Sequence, residues 1–513
     1  MAGLVLAVVL GVAAVAVVLA SSRPRLTADP VALARVTLPA GGGQIESVSV
    51  VTGPHSTPVP AQLRGNRIWP SGLLPSNRPV SIEVVVKRPV WVSWLTGKRE
   101  RLQLTLSTPA AQPRAEYMTL APGAPLEVGF TEPVATYAYG SPGLLVHRTL
   151  SAPQASVTLP RSAPAGSIWV AGAPRPWETA APTVISWFPP GRGTAAVASP
   201  APGTAIAAGT PITLTFSKPV AEALGSHPSP PVSPMTEGAW HTVDSHTIVF
   251  RPEGYGYGLG AKVSIGLPTS VHLVGGAATW RVPRGSTLRL QQMLAQLGYL
   301  PLSFSASGPA VAPTSQAQEQ AAVKPPAGTF SWRYGSVPSS LRSAWSPGAA
   351  GEITRGAVMA FENDHGLSAD GDAGPKVWTA LIAAVMTGRP SSFGYTYVTV
   401  DKSSQSLSLW HNGRTVLSTP VNTGIAQAPT ASGTFAVFEH LRVTTMSGTN
   451  PDGSHYSDPD IQFVSYFNGG DALHAFTRAQ YGYPQSLGCV EMALGPAGQV
   501  WPYTPIGTLV HVA

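Results

Sequence analysis

Cysteine is almost absent from this chain of 513 residues, since Cys489 is its only one. A single cysteine forms no disulfide within the chain, so the sequence excludes a disulfide-framed fold. Charged residues are also scarce, at 11%, and no run of Lys or Arg is long enough to predict nucleic-acid binding. The net charge of +7 is scattered, which fits ordinary solubility or weak attraction to an anionic polymer or lipid surface.

Long helical patterns are equally scarce, whereas Gly and Pro are abundant, with 53 and 52 residues. This composition disfavours helical bundles and coiled coils. A hydrophobic fraction of 43% is too high for a disordered chain, so Gly and Pro are interpreted as turns between many short strands. The sequence therefore predicts a multidomain, mainly β protein.

Residues 1–22 carry no charged side chain, and Leu4 to Ala20 form a continuous apolar run. This length approaches the roughly 20 residues of a membrane span, so the segment is predicted to be the signal peptide or membrane anchor of an exported protein. Val18-Leu19-Ala20 fits a cleavage site, but Arg23 and Arg25 follow the run and no cation precedes it. That charge order leaves cleavage and anchoring as open alternatives.

Three β-rich modules are predicted after this segment. Residues 30–110 contain strand-like stretches separated by Gly, Pro and Asn turns. An internal repeat relates residues 123–135 to residues 209–221, with apolar side chains at alternating positions in both copies. The repeat predicts two β-sandwiches, at 113–192 and 196–270, which resemble the bacterial Ig-like domains of cell-envelope proteins.

Helical periodicity begins at Ser286 and defines a different kind of module. A short helix is predicted up to Gly298, and two more are predicted over Arg355 to His365 and Pro375 to Met386. Between them, residues 302–327 are rich in Ser, Ala, Pro and Gln, which predicts a flexible insertion.

This helical stretch resembles the three-helix peptidoglycan-binding domain of bacterial wall enzymes. The likeness rests on a Leu-Gln-x-x-Leu-x-x-Leu-Gly-Tyr start and on a later series comprising Phe361, Gly366-Leu367, Asp370-Gly371 and Gly374-Pro375. The resemblance implies that residues 286–388 bind peptidoglycan.

The last 120 residues alternate like a β-meander, and they contain an Asn412-Gly413 turn typical of tight hairpins. Cys489 lies near the end of this range. A cysteine attacks a carbonyl carbon as thiolate, so it needs a histidine to accept its proton and backbone amides to hold the oxyanion. His474 lies 15 residues upstream, and Gly488 permits close approach of the Gly488 and Cys489 amides.

Residues 394–513 resemble the L,D-transpeptidase (YkuD-like) catalytic domain. The resemblance rests on His474, on Ser486-x-Gly488-Cys489-Val490, and on the segments 421–424, 429–435 and 505–508. In that family the cysteine is acylated by the third residue of a peptidoglycan stem tetrapeptide, D-Ala leaves, and an amine of a neighbouring stem resolves the thioester. Carbapenems form a covalent adduct at the same cysteine.

The resemblance also implies roles for individual residues. Cys489 is expected to be the nucleophile and His474 the base, with the backbone carbonyl of Ala475 orienting the imidazole. Ser486 and Gly488 are expected to support the turn that carries the nucleophile.

Three positions depart from the family pattern. Leu487 replaces a second histidine, Glu491 stands where Arg or Asn is common, and Ala475 replaces a Gly. Glu491 reverses the charge near the site, which predicts altered substrate contacts. These departures keep a catalytically silent wall-binding scaffold open as an alternative, and hydrolysis of the thioester by water remains a second one.

No metal or organic cofactor is predicted. His440, His455, Asp458 and Asp460 are the residue types of a zinc peptidase site, but a His-Glu-x-x-His or similarly spaced set is missing. The sequence thus predicts an exported cell-envelope enzyme whose partner is peptidoglycan.

Overall fold

The computed structural model describes residues 23–38 and 43–513, so the predicted signal or anchor segment 1–22 lies outside the described residues. Strands dominate the described ranges, which confirms the predicted mainly β fold. Within those ranges, no helix is both long and apolar enough to cross a membrane. The chain divides into two compact units: unit 1 is Met1–Val197, Thr215–Ala223 and Thr269–Val274, and unit 2 is Ala198–Leu214, Leu224–Pro268 and Gly275–Ala513.

Unit 1 begins with two four-stranded sheets, ordered β1-β2-β6-β5 and β4-β3-β8-β9. Their elements, with β7 and one short helix, are β1 (Arg25–Ala28), β2 (Ala34–Thr37), β3 (Gln44–Thr52), β4 (Thr57–Pro58), β5 (Ala61–Arg64), β6 (Arg67–Pro70), β7 (Leu74–Pro75), β8 (Pro79–Lys87), α1 (Val90–Thr96) and β9 (Arg99–Ser107). Every second residue of β8 from Val80 to Val86 is buried, because successive side chains of a strand point to opposite faces.

A five-stranded sheet follows in unit 1, with the order β10-β15-β13-β11-β12. The elements of this region are β10 (Tyr117–Thr119), β11 (Leu126–Ser141), β12 (Leu144–Leu159), β13 (Gly166–Ala173), β14 (Glu178–Thr179) and β15 (Thr183–Phe188). β14 pairs with β7 instead of joining this sheet. The first copy of the repeat begins β11, where Leu126, Val128 and Phe130 are buried. The Ig-like assignment of this range stays a prediction.

The second copy of the repeat differs from the first after its opening strand. The elements of this region are β16 (Thr194–Ser199), β17 (Ile212–Phe216), α2 (Val220–Leu224), β18 (Val232–Ser233), β19 (Gly238–Thr242), β20 (Thr247–Pro252), β21 (Lys262–Ile265), β22 (Val271–Leu273) and β23 (Thr279–Arg281). β11 continues past Pro133 through an irregular register, whereas β17 ends at Phe216 and Pro219 precedes α2. Proline has no N–H to donate to a neighbouring strand. Pro133 therefore accompanies an irregular register in the first copy, and Pro219 precedes a helix in the second. The second Ig-like module also stays a prediction.

The helical module of unit 2 contains the three predicted helices. Its helices are α3 (Thr287–Gln296), α4 (Ser315–Val323), α5 (Ser339–Ser343), α6 (Glu352–Asp364) and α7 (Pro375–Thr387). The Ser286 side chain accepts a hydrogen bond from the Arg289 amide at 3.1 Å and caps α3. Pro375 occupies the first turn of α7 and Gly388 ends it in the left-handed conformation, so local sequence sets both boundaries.

Residues 302–327 differ from the predicted flexible insertion, because they contain regular structure. β24 (Leu302–Ala306) pairs with β25 (Gly328–Trp332), and α4 lies between the two strands. Arg289 of α3 donates to Gln318 of α4 at 2.8 Å, and Ala321 and Ala322 are buried. Small and amide-bearing residues look like a linker in composition, but here they are ordered by tertiary contacts that composition does not reveal.

The C-terminal domain of unit 2 is built from two sheets, ordered β28-β27-β26-β34-β29 and β30-β31-β32-β33. Its elements are β26 (Thr396–Asp401), β27 (Ser406–His411), β28 (Arg414–Pro420), β29 (Gly433–Ala436), β30 (Glu439–Thr449), β31 (His455–Asn468), β32 (Asp471–Ala475), β33 (Val490–Met492), α8 (Leu494–Val500), a 3₁₀ helix (Trp501–Tyr503) and β34 (Leu509–Val512). The predicted Asn412-Gly413 turn joins β27 to β28, with positive φ at both residues. One hydrophobic core includes side chains from both sheets.

Within unit 2 the helical module packs directly on the C-terminal domain. The Tyr397 hydroxyl of β26 donates to Ser340 Oγ at 3.1 Å, and Trp410 Nε1 of β27 donates to the Ser336 carbonyl at 2.7 Å. Gly356 of α6 faces Gly507, where an added Cβ would lie 2.6 Å from the Gly507 carbonyl oxygen. The absence of a side chain at Gly356 thus permits the close contact between the two domains.

Candidate active site

His474 lies on β32, and Cys489 comes just before the neighbouring parallel strand β33, on the same face of the sheet. β32 pairs with β33 so that His474 is opposite Glu491, and Cys489 immediately precedes β33. Side chains alternate between the two faces along both strands. The opposite face packs into the main core and carries Leu473, Ala475, Val490 and Met492. The candidate nucleophile and base are therefore brought to the face that this core does not occupy.

His474 is buried, with 2% of its surface exposed. Its Nδ1 donates to the Ala475 carbonyl oxygen at 2.9 Å, the contact that the family resemblance predicts. Because a carbonyl only accepts, Nδ1 carries the proton and Nε2 is left as the acceptor. Burial lowers the pKa of His474, against the opposing effect of the Ala475 hydrogen bond, so the imidazole is neutral at neutral pH.

Cys489 is held as a neutral thiol. Its Sγ donates to the Gly470 carbonyl at 3.5 Å, and burial raises its pKa to about 12 although the Ala472 amide favours the thiolate. The thiol is packed against a small apolar cluster formed by Ile461, Val464 and Ala472. A neutral thiol beside a neutral imidazole requires proton transfer to accompany attack by sulfur.

The turn before Cys489 is shaped by Ser486 and Gly488. The Ser486 hydroxyl donates to the Cys489 carbonyl at 2.5 Å, and Ser486 itself is buried. Gly488 has φ of +112°, and an added Cβ there would overlap Oδ1 of Asp471. Both the backbone conformation and the space therefore demand glycine.

Three consecutive amides of this turn have no hydrogen-bond acceptor in the part of the chain that the structure describes. They belong to Leu487, Gly488 and Cys489. Successive free N–H groups form a site that attracts negative charge, as an oxyanion hole requires. The sequence predicts the amides of Gly488 and Cys489 as oxyanion donors. The structure adds the amide of Leu487, which has no acceptor although its side chain differs from the histidine of the family pattern.

Asn422 holds the segment 482–491, which contains Cys489, to the rest of the domain. Its backbone exchanges two hydrogen bonds with Glu491, at 3.0 and 2.9 Å, and its side-chain oxygen accepts from the Gly482 amide at 3.0 Å. Asn422 is fully buried. The sequence resemblance contained Asn422 within a motif but assigned it no role, so its anchoring function is visible only in the structure.

Arg478 was missed entirely by sequence reasoning. It forms a salt bridge with Glu491 at 2.7 Å, and its guanidinium lies 4.4 Å from the ring centroid of Phe476. Arg478 therefore balances the charge of Glu491 within the protein. No periodicity or motif links residues 478 and 491, so no sequence signal identifies the pair.

Residues of zinc-ligating types lie at several places in the C-terminal domain. His440 lies at the base of the β30–β31 hairpin, where its Nε2 meets the Trp501 carbonyl, whereas His455 lies at the opposite end of that hairpin beside Thr449. Asp458 and Asp460 line a cavity of about 370 Å³ that is also bordered by residues 475–477. Among the described residues no group of His, Cys, Asp and Glu is arranged to hold a metal ion.

Comparisons with known proteins agree with the motifs. Residues 395–512 match the family described as the L,D-transpeptidase catalytic domain, and residues 339–381 match the putative peptidoglycan binding domain. The two matches lie in separate parts of unit 2. A comparison with curated proteins finds no match.

Solved structures similar to this chain include three L,D-transpeptidases. The catalytic domain from E. faecium acylated by ertapenem has 26% identity, covering 23% of this chain and 97% of its own, with a TM-score of 0.22. The enzyme from Mycobacterium smegmatis has 11% identity, covering 62% and 96%, with a TM-score of 0.22. L,D-transpeptidase 3 from Mycobacterium tuberculosis with a faropenem-derived adduct has 11% identity, covering 61% and 96%, also with a TM-score of 0.22.

Proposed function

We propose that this chain is a cell-wall L,D-transpeptidase that cross-links peptidoglycan stem peptides through Cys489. The two family matches support the reaction class. The observation that carries the cysteine mechanism is the shared face of His474 and Cys489 beside three amides that lack acceptors. These are the base, nucleophile and oxyanion donors that acyl transfer requires.

Acylation begins with the neutral thiol. Nε2 of His474 takes the Sγ proton as sulfur bonds to the carbonyl carbon of the third stem residue. The oxyanion of the tetrahedral intermediate is held by the amides of the 487–489 turn. The C–N bond to D-Ala then breaks, and the His474 imidazolium returns the proton to the departing amine, which leaves a thioester on Cys489.

Deacylation uses the same groups in reverse. The amine of a neighbouring stem attacks the thioester carbon and gives its proton to His474 Nε2. The C–S bond breaks, the new peptide bond remains in the wall, and the thiol regains its proton. Water in place of the amine makes the same cycle a carboxypeptidase reaction, which is the second candidate within this chemistry.

The helical module supports a cell-envelope location, because residues 339–381 match a putative peptidoglycan binding domain. Its direct packing on the C-terminal domain would hold the candidate site at a fixed place relative to bound wall polymer. Export through residues 1–22, whether they are cleaved or act as an anchor, completes this proposal.

Intact-mass analysis with a carbapenem and with disaccharide tetrapeptides tests the proposal. The wild-type protein should gain one covalent adduct and release D-Ala, and Cys489→Ala should do neither. His440→Gln, which alters another histidine of the same domain, serves as the control and should retain both reactions. Adduct formation and turnover by Cys489→Ala would eliminate the cysteine mechanism.

The products separate the remaining alternatives. A cross-linked dimer as the main product supports transpeptidation, whereas tripeptide alone supports the carboxypeptidase. A wild-type protein that binds purified wall sacculi but forms neither adduct nor product would support the silent scaffold that Leu487 keeps open.

A further inference from the structure

The hairpin between β8 and β9 in unit 1 ends in an apolar tip, residues 88–98. The Arg88 amide donates to the Lys98 carbonyl at 3.0 Å, which closes the hairpin at the base of the tip. The seven-residue helix α1 forms its outer turn, and the Ser93 and Gly97 amides keep this turn hydrogen-bonded internally. The tip is therefore a built element of the module.

The tip exposes large apolar side chains to solvent. Val90 is 86% exposed, Trp94 is 79% exposed and Trp91 is 48% exposed. Trp94 Nε1 donates to the Trp91 carbonyl at 2.9 Å, so the polar group of this indole is satisfied within the tip. Soluble domains seldom place several large apolar groups together in water, and such a patch marks an interaction surface.

Basic residues lie on both strands at the base of the tip, and we call them the basic collar. Lys87, Lys98, Arg99 and Arg101 are exposed, and Arg88 adds a fifth cation within residues 87–101. Arg88 is paired with Glu100 and Arg99 with Glu46. Residues 87–101 thus carry five cations, two of them paired with Glu100 and Glu46, which leaves this stretch with a net positive charge.

We propose that the tip at residues 88–98 is a membrane-binding site that inserts Trp91 and Trp94 into the headgroup region of an anionic lipid bilayer. Tryptophan is favoured at this depth, where its ring is apolar and its surroundings are half-hydrated. The basic collar would meet the lipid phosphates when the tip is inserted. Apolar side chains next to cations match a surface that is both half-hydrated and anionic, as the headgroup region of an anionic bilayer is.

The position of the tip in the chain agrees with binding to a lipid bilayer. The apolar segment 1–22 precedes β1, which begins at Arg25 and packs against β9, the strand that leaves the tip. If that segment anchors the chain, it keeps the tip's own module next to the bilayer. The proposal does not depend on the catalytic function, and the tip belongs to a different unit from Cys489.

Site-specific labelling tests the proposal, because Cys489 is the only cysteine. In the full chain carrying Cys489→Ala, Trp94→Cys provides one thiol for an environment-sensitive NBD fluorophore. Leu73→Cys, at a residue of the same unit that is 65% exposed, provides the matched control label. Both labelled chains are mixed with vesicles of pure phosphatidylcholine or of phosphatidylcholine and phosphatidylglycerol in equal parts.

The label at position 94 should shift to the blue and brighten several-fold on the anionic vesicles, while the label at position 73 should not change. Replacing Lys98 and Arg101 with Gln should lower the inserted fraction at low vesicle concentration by about tenfold or more. The control Arg148→Gln, at another exposed cation of unit 1, should have a small effect. Equal responses at positions 94 and 73 would overturn the proposal.

An emission change at position 94 that needs no vesicles and grows with protein concentration would also overturn it. That result would identify a second copy of the chain as the occupant. High salt should reduce the response to anionic vesicles, because screening weakens attraction between the collar and the lipid phosphates.

Discussion

Arg478 holds Glu491 with two hydrogen bonds, from Nε to Oε2 at 2.9 Å and from Nη2 to Oε1 at 2.7 Å. Glu491 is opposite His474 in the parallel ladder, so its buried carboxylate belongs to the face that carries the candidate base. The pair places a negative group next to the histidine while Arg478 balances its charge. The charge reversal that the sequence predicts at Glu491 is therefore compensated inside the protein.

Removing Arg478 should destabilise the domain more than removing Glu491 and Arg478 together. Arg478→Gln leaves the carboxylate of Glu491 buried without its partner, which we expect to cost on the order of 3 kcal/mol of unfolding free energy. Arg478→Gln with Glu491→Gln should recover part of that loss. Chemical denaturation of wild type and of both variants measures these losses. The control Arg355→Gln, which breaks an exposed pair with Glu352, should cost less than about 1 kcal/mol.

Glu491→Gln should change how acylation depends on pH. Burial lowers the pKa of His474, and Glu491 opposes this effect together with Asp458, whereas Arg478 adds to it. The acid limb of the wild-type rate should therefore lie below the ordinary histidine pKa of about 6.5. Loss of the Glu491 charge should move that limb to lower pH and reduce the plateau rate, because a less basic imidazole takes the thiol proton less readily.

Stopped-flow acylation across a pH series measures the limb in Glu491→Gln and in wild type. The histidine must be neutral to accept the thiol proton, so the rate falls as pH drops through its pKa. An unchanged limb with a uniformly lower rate would contradict the electrostatic role of Glu491. In that case the Arg478–Glu491 pair would have a purely structural role.

Gly488→Ala should inactivate the site, whereas Gly482→Ala should not. Both glycines have positive φ, at +112° and +107°, so both substitutions strain the backbone by about 1–3 kcal/mol. Only at Gly488 does the new Cβ overlap Asp471, since the space around Gly482 is open. Carbapenem adduct formation and thermal unfolding, measured for both variants, separate the effect of the clash with Asp471 from that of backbone strain alone. Equal losses in the two variants would refute the role of the Asp471 contact.

The sequence was sufficient where function depends on local pattern. Strand alternation, the onset of helical periodicity at Ser286 and the Asn412-Gly413 turn predict elements that the structure contains. It was insufficient where structure depends on distant partners. Residues 302–327 are ordered by Arg289 and its neighbours. The two copies of the repeat both open with a strand, but the first continues as a strand and the second turns into a helix. Asp471, Asn422 and Arg478 matter through contacts with residues far along the chain, so no local pattern reveals them.

Gly356→Ala tests whether the helical module and the catalytic domain depend on their close contact. At an exposed helix position, replacing Gly with Ala raises the free energy of unfolding by up to about 1 kcal/mol. Gly495→Ala, where the added Cβ meets open space, is the control and should show this gain. At Gly356 the new Cβ would lie 2.6 Å from the Gly507 carbonyl oxygen and 2.8 Å from Leu509 Cδ2, so we expect a loss of about 1–3 kcal/mol. Thermal unfolding distinguishes the two, and equal gains would show that the contact is not restrictive.

The last prediction identifies which histidine performs the chemistry, because Leu487 removes the one that usually precedes Gly-Cys. His474→Gln should lower the acylation rate by about 10²- to 10⁴-fold, as expected from loss of a general base. Leu487→His should change it little, because the turn contributes its amide and not its side chain at that position. His440→Gln, at a half-buried histidine of the same domain, controls for the loss of an imidazole. A large gain in Leu487→His, with His474→Gln unaffected, would mean that the natural site lacks its base, and it would favour the silent scaffold over the enzyme.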